Sequence, residues 1–223
     1  MCAQGIYRIT EDFEKALSDY TGAPYVVTVD NASNALYLCL LHENIVGKEI
    51  AIPCRTYPSV PCEIIRAGGL VKFKPVEGNT IKGAYPLEPT RVWDSALRFT
   101  YNMYIPGSFM CISFTGAYKI LKLGKGGAIL TDNYKAAMWF KRARFSGRRE
   151  CSYHEDNFDQ LGFNCYLMPE IAVRGLLLIQ QFYDFQGKPK HNEDLEIPYP
   201  DLSKFPIYRG NYNERFEYEN KAK

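Results

Sequence analysis

The feature that most restricts how this chain can fold is a series of short, almost wholly apolar runs set between amphipathic stretches. Residues 25–29 (YVVTV), 49–53 (EIAIP), 109–114 (FMCISF) and 127–131 (GAILT) are too short for buried helices and rich in β-branched residues, so they are read as strands. Their apolarity is continuous rather than alternating, which is expected when both faces of a strand are covered. RVWD at 91–94 and LVKFKPV at 70–76 are two further strand candidates. Helices are expected at 10–20, from Ser33 to Asn44, at 134–145 and at 169–185, with a helical or turn-rich piece through Ile64 and Ile65 that closes at Gly68 and Gly69. In the first, Thr10 is a candidate cap, Glu11 and Asp12 suit the first turn, and Phe13, Ala16, Leu17 and Tyr20 share a face. Pro169 suits a helix start, and 77–89 is loop-like. Strands alternating with helices predict an α/β three-layer sandwich around a mostly parallel sheet.

Composition narrows the function classes. The chain has 223 residues, 46% of them hydrophobic and 23% charged, which is material for one full domain rather than a disordered chain. Its 27 Lys and Arg against 25 Asp and Glu leave a charge of +2, so neither nucleic acid nor an anionic membrane is an expected partner. No apolar run has the length of a membrane span, and the first ten residues lack the apolar segment of a signal peptide. The seven Cys are odd in number, lack a C-x-x-C pair and lie largely in apolar runs, Cys2 being the first of them. They are read as reduced small hydrophobes of a cytoplasmic protein, and zinc-ligand spacing is missing. No metal is expected. Seventeen Tyr suit an interface or a ring-binding site. From Gln186 onward the chain is polar and Pro-rich, with no periodic apolar face. Residues 1–186 are therefore expected to form the domain, and 187–223 an extended tail lying on it or on a second subunit.

Three places could carry chemistry. Asp94 ends a strand, where ligands of parallel sheets bind, and could be a metal ligand, a base or an acceptor for a protonated heterocycle, or else a turn residue. Lys119 follows the strand FMCISF and could be a nucleophile, or a solvated member of a basic loop with Lys122 and Lys125. Ser33 and Asn34 open a helix, a setting that suits a phosphate or a plain cap. Gly124–Gly127 (GKGG) has neither P-loop nor dinucleotide-fold spacing.

Taken in order, the segments resemble the DegT/DnrJ/EryC1/StrS family of sugar aminotransferases, pyridoxal-phosphate enzymes of the aspartate-aminotransferase fold (fold type I). F-E-K-A-L-S-D-Y-T-G-A-P-Y (13–25) is similar to the family's opening helix and turn, and V-D-N-A-S-N-A-L (29–36) to its phosphate turn. I-P-C-R-T-Y-P-S-V (52–60) resembles P-x-x-T-[FY], V-W-D-S-A (92–96) stands where the family has E-D-A-A, and 112–131 resembles S-F-x-x-x-K-N-L-x-x-G-E-G-G. A-R-F-S-G-R-R-E (143–150) and G-F-N-C-Y-L-M-P-E-I-A-V-R-G-L (162–176) resemble its L-R-x-H-G and G-[YF]-N-x-x-M blocks.

The resemblance implies pyridoxal 5'-phosphate as cofactor. Lys119 would form the Schiff base and then shuttle the α-proton, and Asp94 would pair with the pyridine nitrogen. Tyr57 would stack on the ring. Ser33, Asn34 and Ser113 would hold the phosphate, and Asn164 would reach the phosphate of a neighbouring subunit in a homodimer with shared active sites. The substrates would be an amino donor and a keto acceptor, a nucleotide-linked keto sugar or a related small keto compound. No role is assigned to Arg144 or Gly147, and the basic run 141–149 is read as a solvated helix end.

There are departures. Lys125 replaces the acidic residue of G-E-G-G, and Leu97 stands where the family has Gln or His. One residue is inserted between Phe114 and Lys119, which makes Lys122 the fallback lysine. Only 77–90 links two strands that the family separates by two helices and a strand, and the C-terminal small domain is expected to be largely missing, leaving a shortened large domain. An alternative function is therefore a cofactor-binding, catalytically inactive relative that assembles with a complete enzyme. A third reading is an unrelated α/β protein.

Overall fold

A computed structural model describes residues 4–209. Helix α1 spans Gln4–Thr21 and so begins well before Thr10. Thr10 is buried and extends the inward stripe Phe13, Leu17 and Tyr20, so it sits in the helix interior rather than at a cap. Strand β1 (Tyr25–Val29) leads into α2 (Ala32–His42), whose cap is Asn31. Then come β2 (Glu49–Pro53), α3 (Ser59–Arg66) and β3 (Leu70–Lys74). The segment read as a loop holds two short strands, β4 (Ile81–Lys82) and β5 (Tyr85–Pro86). Strands β6 (Val92–Asp94), β7 (Phe109–Ser113) and β8 (Gly127–Thr131) follow, and then helices α4 (Tyr134–Ala143) and α5 (Pro169–Ile179). A 3-10 turn at Gln180–Phe182 takes over from α5, so that helix ends earlier than its apolar pattern suggested.

The central sheet runs β1-β8-β7-β6-β5 and is mixed rather than mostly parallel. β6 and β7 are parallel, whereas β1 with β8, β7 with β8 and β5 with β6 are antiparallel. The sequence could not show this: a strand buried on both faces reads the same in either direction. β2 and β3 form a parallel pair beside the sheet, linked to it by reciprocal bonds between Ala51 and Glu88 at 2.8 and 3.0 Å.

Both faces are covered. On one, Val27, Val29, Cys111 and Ile129 pack with the buried side of α2, α3 and α4. On the other, Val26, Met110, Ile112, Ala128 and Leu130 pack with Phe13 and Leu17 of α1 and Ala172 of α5. The two sets alternate along each strand, as a period of two requires. Cys39, Cys54, Cys111 and Cys165 are buried thiols, and none of the six described cysteines is in a disulfide; Cys2 lies outside the described residues.

The segment after Gln186 lies against this body as far as residue 209. Leu195 N–H donates to Leu97 O at 2.8 Å, and strand β9 (Glu196–Ile197) pairs antiparallel with β4. Arg98 pairs with Asp194 at 2.6 Å, and Leu202 N–H donates to Cys54 O at 2.8 Å. Residues 210–223 of the expected tail lie outside the described residues. Among the described residues, no helix is long and apolar enough to cross a membrane.

The basic run 141–149 differs from its reading as a solvated helix end. Arg144 is buried, paired with Glu14 and bonded to Thr28 O at 2.7 Å, and Lys141 reaches Glu14 at 3.4 Å.

Candidate active site

β6 and β7 run parallel, so their carboxyl ends, Asp94 and Ser113, emerge at one edge of the sheet. Ser113 faces Gly127, and Gly127 faces Val29, which brings the end of β1 and the start of α2 to the same edge. A Cβ on Gly127 would lie 2.7 Å from Ala32 N and 2.8 Å from Ile112 O, so only glycine lets β8 approach the helix start this closely.

One cavity opens there. Its wall includes Ser33 at the start of α2, Thr56 and Tyr57 after β2, Asp94, and Ser113. Lys119, Tyr85 of β5 and Tyr199 of the C-terminal segment complete the part that concerns chemistry. Five residues that the sequence singled out, Ser33, Tyr57, Asp94, Ser113 and Lys119, are thus brought together. Asn34 is not among them: its amide donates to Asp30 at 2.8 Å and its carbonyl accepts from Arg66 at 3.3 Å. Asn164 is exposed and also lies outside the cavity wall. The fallback Lys122 is exposed and outside it as well.

Asp94 and Lys119 are almost inaccessible, at 6% and 5% exposure. The backbone of Ala96 stands between them. Its N–H donates to Asp94 Oδ1 at 2.9 Å and its carbonyl accepts from Lys119 Nζ at 2.7 Å. Burial pushes the Lys119 amine below its ordinary value, and the nearby Asp94 charge offsets part of that. Burial raises the Asp94 carboxyl, against hydrogen bonds from Tyr85 and Ala96 N–H and the attraction of Lys119. A lysine buried in this way is more readily deprotonated, which suits a nucleophile or base.

On the side of the cavity next to α2, Ser33 stands in the first turn of the helix, and Ser113 Oγ accepts from Thr115 N–H at 3.3 Å. Serine hydroxyls at the amino end of an eleven-residue helix are a setting for an anion. At the mouth, Tyr57 and Tyr118 are exposed, and the Tyr57 ring meets Tyr199 edge-on at 6.0 Å. Leu97, which stands where the resembled family has Gln or His, lines the wall.

Tyr85, Thr56, Tyr118 and Tyr199 were not anticipated. Thr56 and Tyr118 adjoin residues already singled out, so proximity in sequence was a usable signal. Tyr85 and Tyr199 lie in segments without periodicity, and only the pairing of β4, β5 and β9 brings them to the site. Among the described residues, no group of three or more His, Cys, Asp or Glu could hold a metal ion.

Residues 4–84 match the sequence model of the DegT/DnrJ/EryC1/StrS aminotransferase family; the match ends before Asp94 and Lys119. No curated protein sequence matches the chain. Similar solved structures include a PLP-dependent aminotransferase from Bacillus cereus, with a TM-score of 0.65 and 20% identity over 78% of this chain and 58% of the other. A sugar aminotransferase from Streptococcus pneumoniae in its PLP form gives 0.63 and 19% over 78% and 59%. The Helicobacter pylori aminotransferase of pseudoaminic acid biosynthesis gives 0.64 and 15% over 78% and 57%. The chain thus spans less than two thirds of the length of these structures. It has the fold of the PLP-dependent aminotransferases of fold type I, and its residues 4–84 carry the sequence pattern of the DegT/DnrJ/EryC1/StrS family.

Proposed function

We propose that the cavity binds pyridoxal 5'-phosphate and that the chain transfers an amino group from a small donor to a keto acceptor through Lys119. The observation that carries this reading is the meeting of a buried carboxylate at the end of β6 and a buried lysine in the loop after β7, in one cavity beside a helix start. The donor set fits the group: an amine of lowered basicity, an acceptor for a ring N–H, and hydroxyls for a phosphate. The family pattern and the fold support the same class.

When bound, the cofactor supplies an aldehyde to carry the amino group and a ring to draw off the electron pair left by the departing α-proton. Asp94 accepts the ring N–H and so keeps the ring protonated. Ser33 and Ser113 would hold the phosphate and Tyr57 would cover the ring, while Asn34 follows Ser33 in the same turn. In the first half of the reaction Lys119 Nζ would take the proton from the donor's Cα, and in the second half, after the donor product has left, it would give a proton to the acceptor carbon. Asn164, exposed on its own subunit, is available to the phosphate site of a partner in a cytoplasmic homodimer. The acceptor we propose is a keto sugar, nucleotide-linked or smaller.

The test is spectroscopic. Wild-type protein with pyridoxal phosphate should develop a visible band that converts to the amine form on adding Glu or Gln. No band at saturating cofactor contradicts the proposal. A band that no amino donor converts favours the second reading, an inactive partner of a complete enzyme, which the apolar Leu97 in the cavity wall also favours.

A further inference from the structure

Tyr85 is paired with Asp94 in the register of β5 and β6. Its hydroxyl donates to Asp94 Oδ2 at 2.7 Å and is bonded in turn to Thr56 Oγ1. Since the Tyr85 proton goes to the carboxylate, the Thr56 hydroxyl is the donor in that second bond, giving a chain from Thr56 to Tyr85 to Asp94. The other carboxylate oxygen, Oδ1, is taken by Ala96 N–H. Nothing in the family pattern at 92–97 foretells this arrangement, because Tyr85 arrives on the short connection 77–90. Leu97, the residue of that pattern that could have been polar, offers no hydrogen bond from its side chain.

We infer that Tyr85 is a positioning residue for the amino-transfer site. Its hydroxyl, braced by Thr56, fixes the Asp94 carboxylate in its ionised form, facing the cavity, where it can accept the N–H of a protonated heterocycle. This rests on the function proposed above. A carboxylate oxygen has two lone pairs, so Oδ2 can serve Tyr85 and a ring nitrogen together. Burial alone would favour the neutral acid, which cannot hold a cationic ring. The groups that face Asp94 are Tyr85 from β5, Lys119 from the loop after β7 and Tyr199 from the C-terminal segment. Of these, Lys119 attracts the negative charge from a distance, and Tyr85 donates to it directly. Burial and the Asp94 charge hold the Tyr85 phenol well above its ordinary range, so it remains a donor throughout the neutral region.

The experiment compares wild type, Tyr85→Phe and Thr56→Val. The carboxyl titration of Asp94 is followed by NMR in the cofactor-free protein, and pyridoxal phosphate affinity is measured by fluorescence between about pH 6 and pH 9. Tyr85→Phe should move the titration upward by about one pH unit. It should also weaken cofactor binding roughly ten-fold on the acid side of the shifted carboxyl titration, with recovery as the pH rises through it and the carboxyl is again ionised. Thr56→Val should shift both in the same direction by less, and it keeps the inference testable should Tyr85→Phe not fold. An unmoved titration, or a loss of affinity that does not vary with pH, overturns the role and leaves Tyr85 a structural contact. If wild type binds no cofactor, the proposed function fails and the role of Tyr85 in it fails too. The titration would then still show whether Tyr85 governs Asp94.

Discussion

Lys119 Nζ donates to the carbonyl oxygen of Ala96 at 2.7 Å, on the same peptide residue whose N–H holds Asp94 at 2.9 Å. The amine and the carboxylate are therefore set by the two successive peptide groups that flank one residue, Ala96. Any shift of the V-W-D-S-A turn moves both groups together. The relationship ties the end of β6 to the loop after β7, and it makes the turn itself part of the proposed chemistry.

Asp94→Asn separates function from stability. Burial raises the folded-state carboxyl value, so between the unfolded and the folded value the native state binds more protons than the unfolded one. That contribution is fully present below the unfolded value and is lost as pH rises through the folded value. At neutral pH the ionised side chain is thus a cost, and Asn should leave the melting temperature equal or slightly higher. Cofactor affinity should fall at least about ten-fold, as expected for loss of a charge-assisted bond. Calorimetry and a fluorescence titration on the same sample check both arms.

Glu14→Gln should destabilise the fold by about 3 kcal/mol, since it leaves the buried Arg144 guanidinium with neutral Thr28 acceptors and Glu150, at 3.3 Å, as its one remaining carboxylate partner among the described residues. Arg144 and Lys141 outweigh burial and hold the Glu14 carboxyl below its ordinary value. Its contribution is present above the unfolded glutamate value and disappears as pH falls through the folded value. The stability difference between wild type and variant should therefore shrink in acid. Urea unfolding at a series of pH values, with the slope unchanged, measures it.

Gly127→Ala should cost about 1–3 kcal/mol and weaken phosphate-bearing ligands more than phosphate-free ones. The three atoms its Cβ would meet, at 2.7, 2.8 and 2.9 Å, are all backbone, and two belong to Asn31 and Ala32 at the start of α2. Relief moves the helix start away from the sheet edge. Comparing pyridoxal phosphate with pyridoxal on wild type and variant separates this from general destabilisation.

The sequence made the strands at Tyr25–Val29, Glu49–Pro53 and Gly127–Thr131 legible because each is a closed apolar run with turn residues around it. Asp94 and Lys119 were singled out because one ends a strand and the other lies just beyond one, and the roles proposed for them come from the family resemblance. The direction of β8 was not legible, because apolarity carries no sign. β4, β5 and β9 were missed because two-residue strands have no period. Their loss from the sequence reading also hid Tyr85 and Tyr199. Asn34 looked like a phosphate ligand by its place in a helix start, but Asp30 and Arg66 claim its side chain. Thr10 looked like a cap because the buried stripe it extends begins earlier than the apolar residues do.

The most direct test of the central claim is chemical. Wild type, Lys119→Ala and Lys122→Ala are incubated with pyridoxal phosphate, reduced with borohydride and mapped by peptide mass spectrometry. The account predicts the reduced cofactor on Lys119 in wild type and in Lys122→Ala, and no modified peptide in Lys119→Ala. Cofactor found on Lys122, spread over surface lysines, or absent from wild type would contradict it.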